Sequence, residues 1–325
     1  MSAPLTGPAT TLALLLAAFG VIVVAGYEVA RRAPLRAARP AAWVTLLGGT
    51  VALDRWLRDA PAGFRMFALV VFALLVMKVL VAVEARARGM PPLSFPAWLA
   101  FAAAWLGMRP ELFVSPDVAA LEGATPLLQR GVVHLALGGA LVALAPVIWT
   151  ASNSELAASA VLLAGLSLIV HFGVCNLLAG LWRSRGVACE PLFRAPLLSQ
   201  NLSEFWARRW NLAFSEMTAV SVYRPLVERF GRGPALLAAF AVSGLFHELA
   251  ISVPVRAGFG LPFLYFVIHG ALVWGERALA RAGYPLLGWS GRLWTVFWLV
   301  VPLPMLFHRP FLAGVVWPLV QIGET

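Results

Sequence analysis

Lysine is all but missing from this chain. Of 25 basic residues only Lys78 is lysine, and charged residues of every kind make up 12% of the 325 positions. Soluble domains carry about a quarter of their residues charged, so a soluble class is excluded. Strict alternation of polar and apolar residues is lacking, which argues against a β-barrel. Two cysteines are present, Cys175 in an apolar run and Cys189 in a loop, without metal-ligand spacing. There is no HExxH, GxSxG, phosphate-binding glycine loop or CxxC, so the usual soluble chemistries find no support. No internal repeat is visible, which lowers the case for an inverted-repeat transporter. The first apolar stretch, roughly 20 residues from Thr10, has no basic n-region before it. The expectation there is a first transmembrane helix rather than a cleaved signal.

What the chain has instead is hydrophobic residues, 61% of the total, in continuous runs along its whole length. The expected fold class is all-α, a polytopic bundle of eight to ten membrane elements. Spanning candidates are Leu12–Glu28, Phe64–Val83, Phe95–Met108, Gly131–Trp149, Leu156–Trp182, Pro234–Val253, Phe259–Ala280 and Arg292–Phe307. Ala41–Leu57 and Phe311–Val320 are short enough to be re-entrant or interfacial. The chain reads as one integral membrane domain. N-terminal helices occupy 1–182, a basic connector 183–233 and C-terminal helices 234–325.

The formal charge of +10 comes from arginines lying between the apolar runs. That placement fits topology signals and lipid-headgroup contacts, not a nucleic-acid footprint. The connector holds Arg183, Arg185, Arg194, Arg208, Arg209, Arg224, Arg229 and Arg232, so the positive-inside rule places it in the cytoplasm. A composition rich in Ala, Gly and Arg suggests a GC-rich genome, hence a bacterial inner membrane.

Two stretches carry candidate chemistry. In NLSEFWARRWNLAFSEM the spacing predicts one interfacial helix over Leu202–Met217. Glu204, Arg208, Asn211 and Ser215 would form a polar stripe and Trp206, Trp210 and Phe214 another face. Asn201 and Glu204 have the spacing of a capping box. In PALLAAFAVSGLFHELAISV, His247 lies about 20 Å beyond Pro234 at 1.5 Å per residue, deep in the apolar run. Ser243 and Gly244 share its side of the helix, and Glu248 projects elsewhere. Ionisable groups in hydrocarbon are costly and are functional candidates by default. A neutral imidazole in a dry site is a good general base, and a carboxamide can hold an oxyanion. A basic cytoplasmic face suits a phosphorylated donor such as coenzyme A. These features together fit acyl transfer from a soluble thioester to an alcohol dissolved in the membrane. His134, His171, His269 and His308 also sit in or near apolar runs, where they pack, line a cavity or supply a bis-histidine haem site. A proton-coupled transporter using His247 and Glu248 is the reading from a different class.

The segment LSEFWARRWNLAF resembles the FWxRRWN motif of wax synthases in the membrane-bound O-acyltransferase superfamily, and VSGLFHE resembles that group's VSGxxHE motif. FVIHGALVWGE and the Trp-rich run from Trp294 look like its C-terminal helices. The resemblance covers about Glu190 to Pro318; before Arg183 only hydropathy matches. Ala207 stands where plant relatives usually carry glycine. What the resemblance implies is an acyl-CoA donor and a long-chain alcohol acceptor, with sterols or other secondary-metabolite alcohols as the alternative. It also implies His247 in the catalytic histidine position and Asn211 in its paired polar position. Arg208 and Arg209 would help hold the CoA phosphates, Trp206 and Trp210 would position the helix at the mouth, and Ser243 would line the site. A tunnel is expected from Arg208 to His247. No metal or cofactor is expected besides acyl-CoA as co-substrate, and the remaining partners are the lipophilic alcohol and membrane lipids.

Overall fold

The computed structural model describes residues 7–321, and among them there is no strand. Two compact units divide the chain, one ending at Ser115 and the other beginning at Pro116.

The first unit has four helices: α1 (Pro8–Arg32), α2 (Leu35–Trp56), α3 (Ala62–Ala87) and α4 (Phe95–Ala103). Ala33, held extended before Pro34, separates α1 from α2. α3 is the core element and packs against both α1 and α2. The approach is close where residues are small: a Cβ at Gly26 would meet Val79, and one at Gly49 would meet the Phe72 ring. α3 carries four charges, and each has a partner. Arg65 pairs with Asp54, Lys78 donates to the Gly107 carbonyl, and Arg86 donates to the Ala33 carbonyl. Glu84 takes a bidentate pair of bonds from Arg39 at 2.7 and 2.9 Å. Lys78 also lies 4.1 Å from the Phe101 ring centre, a cation–π contact.

The second unit begins with a hairpin of α5 (Ala124–Ser152) and α6 (Glu155–Arg183). Asn153 turns the chain with φ 49°, a left-handed conformation that Asn tolerates, and Ser154 caps α6. Gly138 and Gly165 bring the two backbones together, since a Cβ on either would strike the other's carbonyl. After a loop come α7 (Leu202–Glu204 with a π-helical turn Phe205–Arg209) and α8 (Leu212–Thr218, Ala219–Tyr223 and Arg224–Phe230 in succession). Then follow α9 (Arg232–Val255), α10 (Leu261–Arg281), α11 (Gly288–Leu306) and α12 (Arg309–Val320), the last two bent by 66°. α9 and α10 run antiparallel in close contact, Gly244 against Phe263 and Gly270 against Phe240.

Five described helices are long and apolar enough to cross a membrane, or six if α11 and α12 form one broken span, as an integral membrane protein requires. The eight to ten expected elements also counted short and interfacial ones, which these five or six do not include. The Phe95–Met108 run makes only the nine-residue α4, while α2 and α10 are long but too polar for this measure.

Candidate active site

The interfacial segment is two helices, not one. The π turn Phe205–Arg209 ends with the Trp210 N–H bonded to the Phe205 carbonyl at 2.9 Å. Trp210 is then extended and Asn211 is left-handed, φ 45° and ψ 61°. The preceding loop holds the break open: Arg194 N–H donates to the Arg209 carbonyl at 2.8 Å, and Leu212 N–H to the Leu192 carbonyl at 3.0 Å. The expected polar stripe from Glu204 to Ser215 therefore does not form: the loop bonds hold the break, and the residue at the break suits it. Asn accepts the left-handed conformation more readily than most residues and makes a good N-cap.

At the start of α7, Asn201 Oδ1 accepts the Glu204 N–H at 2.7 Å, as the capping spacing predicts. The Glu204 carboxylate reaches back to the Gln200 N–H at 2.8 Å and takes Arg209 Nε at 2.7 Å. Burial alone would raise the Glu204 pKa; the Gln200 N–H and the Arg209 and Arg208 guanidinium groups outweigh it and hold the carboxyl below its usual range. α7 is anchored further by buried Glu276 of α10. Its carboxylate accepts the N–H groups of Leu202 (2.9 Å) and Ser203 (2.8 Å) and the Trp294 indole N–H (2.9 Å). A carboxylate at these first-turn N–H groups is favourable for both the hydrogen bonds and the helix dipole.

Between α7, α8, α9 and α10 lies a cavity of about 290 Å³ whose lining residues all fall between Ser203 and Arg277. Asn211 and His247 both line it, and so do Trp206, Trp210 and Ser243. His247 closes the regular part of α9, immediately before a π turn at Glu248–Ser252. Its Nδ1 lies 2.7 Å from the Ser243 carbonyl. A carbonyl only accepts, so the proton is assigned to Nδ1, and Nε2 keeps its lone pair. Nε2 has no hydrogen-bond partner among the described residues. The imidazole is held against Phe266, ring centres 4.1 Å apart, and edge-on to Phe214 at 6.4 Å.

Asn211 caps α8: its Oδ1 accepts the Phe214 N–H at 3.3 Å. This occupies the carbonyl end of the amide and leaves the NH₂ without a partner among the described residues. Trp206 forms one wall, against Phe240, Phe266 and His269. Trp210 forms another, packed with Phe205, Phe193 and His171. Ser215 braces the first wall by donating to the Trp206 carbonyl at 2.7 Å.

Arg208 and Arg209 are not among the lining residues. Arg208 is exposed, and Arg209 is spent on Glu204 and on the carbonyls of Arg194 and Ala195. The arginine that does line the cavity is Arg277, near the end of α10, with Nε 3.3 Å from Ser203 Oγ. Sequence reasoning passed over it because an arginine at the end of an apolar helix reads as a snorkelling group. Glu276 was missed for a related reason, since the three donors it satisfies, two adjacent N–H groups and the Trp294 indole, lie 74, 73 and 18 residues away from it in sequence. Glu248 lies outside the cavity; its Oε1 accepts the Gly260 and Phe263 N–H groups at 2.8 and 3.0 Å and so secures the start of α10.

None of the other four histidines lines the cavity. His171 stands behind Trp210 and pairs with Ser167 at 2.9 Å, while His269 stands behind Trp206 with Nδ1 on the Tyr265 carbonyl at 2.8 Å. His308 accepts the Phe311 N–H at the start of α12, and His134 is bonded to the Arg130 carbonyl.

Residues 189–268 match the family described as "Membrane bound O-acyl transferase family". A probable long-chain-alcohol O-fatty-acyltransferase of Arabidopsis thaliana (number 9) is 33% identical over 141 residues, 39% of this chain and 41% of that protein. The long-chain-alcohol O-fatty-acyltransferase of Simmondsia chinensis is 33% identical over 106 residues, 30% of each chain. An acyl-CoA–sterol O-acyltransferase of Arabidopsis thaliana is 40% identical over 67 residues, 18% of this chain and 19% of that protein. The chain thus spans less than half the length of the curated relatives it matches. The family match contains both Asn211 and His247, and the relatives support the resemblance to the wax synthase-like group.

Proposed function

We propose that this integral membrane protein transfers a fatty acyl group from acyl-CoA to the hydroxyl of a long-chain alcohol, forming a wax-type ester, as one acyltransferase domain. The observation that carries the reading is the unpaired Nε2 of His247 in a cavity it shares with Asn211. His247 Nε2 takes the proton of the alcohol O–H as the oxygen attacks the thioester carbonyl carbon. The NH₂ of Asn211 donates to the oxyanion of the tetrahedral intermediate. That intermediate collapses with cleavage of the C–S bond, and the leaving sulfur takes the proton back from Nε2. Ester and free CoA thiol leave in equal amounts. The backbone bond from Nδ1 to Ser243 keeps the imidazole in the tautomer this cycle needs. Phe214, Phe240, Phe266 and Trp206 give the site an apolar wall suited to chains and poor in water.

Acyl-CoA and a long-chain alcohol are supported by the names of the relatives; the sterol-specific relative keeps a sterol as the alternative acceptor. The arginine bias of residues 183–233 supports a cytoplasmic connector. A bacterial inner membrane rests on composition alone, because the relatives compared above are from plants. The test is incubation of the purified protein in lipid with labelled palmitoyl-CoA and a panel of alcohols. Labelled ester appearing with stoichiometric free thiol is the expected result. Movement of substrate across the membrane without thiol release would replace this reading with transport.

A further inference from the structure

Arg277 is the one lysine or arginine on the cavity wall among the described residues. Its Nε is turned to Ser203 Oγ at 3.3 Å, and its two terminal nitrogens have no partner among the described residues. Neighbouring Glu276 does not neutralise it, since that carboxylate is already committed to the Leu202 and Ser203 N–H groups and Trp294. The same bonds occupy the start of α7, so the guanidinium is the site's remaining anion-binding group at this end.

Position along α10 adds a length. Phe266, which holds the His247 ring at 4.1 Å, precedes Arg277 by three turns, about 16 Å at 1.5 Å per residue. Both residues line the same cavity, so that span separates its arginine end from its imidazole end. The pantetheine arm of coenzyme A has about 13 bonds between pyrophosphate and sulfur. At about 1.2 Å of advance per bond in an extended chain it reaches about 15 Å. An anion at Arg277 would therefore put the thioester beside His247.

Resting on the acyl-transfer reading, we infer that Arg277 binds the phosphate of the thioester donor and sets how far its acyl carbonyl reaches toward His247. A planar guanidinium with free terminal nitrogens suits two phosphate oxygens at once. A lipid headgroup phosphate would offer the same chemistry, so the two sources must be separated by experiment.

The full-length protein in vesicles is assayed with palmitoyl-CoA and with palmitoyl-pantetheine, which lacks the phosphates. Arg277→Gln is expected to lower kcat/KM for palmitoyl-CoA by about 10- to 100-fold, chiefly through KM, as expected for a lost charge-assisted contact. With palmitoyl-pantetheine the same variant should match the wild type within about twofold. Arg277→Lys should recover part of the loss. Equal losses with both donors, or none with either, would overturn the assignment. A loss that disappears when phosphatidylglycerol is removed from phosphatidylcholine vesicles would give the site to a headgroup instead. Titration with CoA itself needs no turnover and should show the same weakening in Arg277→Gln. Wild-type protein that binds CoA through Arg277 yet makes no ester would refute acyl transfer and leave this inference standing. Ester formation unaffected by Arg277→Gln would do the reverse.

Discussion

Polar groups buried in apolar surroundings are treated differently in the two units. In the first unit Arg65, Lys78, Glu84 and Arg86 of α3 each meet a carboxylate, a guanidinium or a backbone carbonyl. Around the cavity of the second unit, His247 Nε2 and the Asn211 NH₂ are left open among the described residues. Trp206 Nε1 is also buried there without a partner among the described residues. Leaving such groups unpaired costs about 1–3 kcal/mol each, so a stable fold keeps them where something else supplies the partner. The lesson is that expense alone does not mark a site: a charge in hydrocarbon is structural when satisfied and chemical when it is open onto a cavity.

The comparison can be sharpened first at Asn211. Asn211→Asp retains a side-chain oxygen to cap α8 and a residue tolerant of the left-handed turn, but removes the amide donor. Ester formation should fall by about 10²- to 10³-fold while thermal stability stays near the wild type. If activity survives and only stability changes, the amide is a cap and nothing more.

A second test breaks the other side of the comparison. Glu84→Ala leaves Arg39 without its bidentate partner; because Arg39 is about half exposed (47%), the expected loss is about 1–2 kcal/mol rather than that of a fully buried pair. Chemical or thermal unfolding in detergent measures it. KM for both substrates should not move, and a change in KM without a change in stability would contradict the structural role.

The smallest effect concerns pH. The Glu204 carboxyl is held below its ordinary range in the folded protein, so it contributes stability above the ordinary carboxylate pKa. That contribution is lost as pH falls from there through the lower folded value. Its partner is about a quarter exposed, which keeps the effect to a fraction of a kcal/mol to about 1 kcal/mol. Melting temperature between pH 6 and about pH 3 should drop less in Glu204→Gln than in the wild type. Parallel curves would remove Glu204 from the account.

Much of this arrangement was legible in the chain. Continuous apolar runs indicate a helical membrane protein, and the two motif segments do place Asn211, Trp206, Trp210, Ser243 and His247 on one cavity. What periodicity could not show is the break at Trp210 and Asn211. A helical stripe assumes unbroken α geometry, and here bonds from Arg194 and Leu212 to distant carbonyls override it. Arg208 and Arg209 do not line the cavity, and Arg209 instead ties α7 to its own loop, a use that sequence spacing does not reveal. Arg277 lies 66 positions beyond Asn211 in sequence, and only the antiparallel packing of α9 and α10 brings it to the same cavity.

The most direct measurement is ester formation by His247→Ala protein in vesicles, from labelled palmitoyl-CoA and hexadecanol, with folding checked by an unchanged melting curve. Loss of a general base predicts a fall of about 10²- to 10⁴-fold in rate. Folded His247→Ala protein that makes ester at the wild-type rate would contradict the account, whatever its effect on substrate binding.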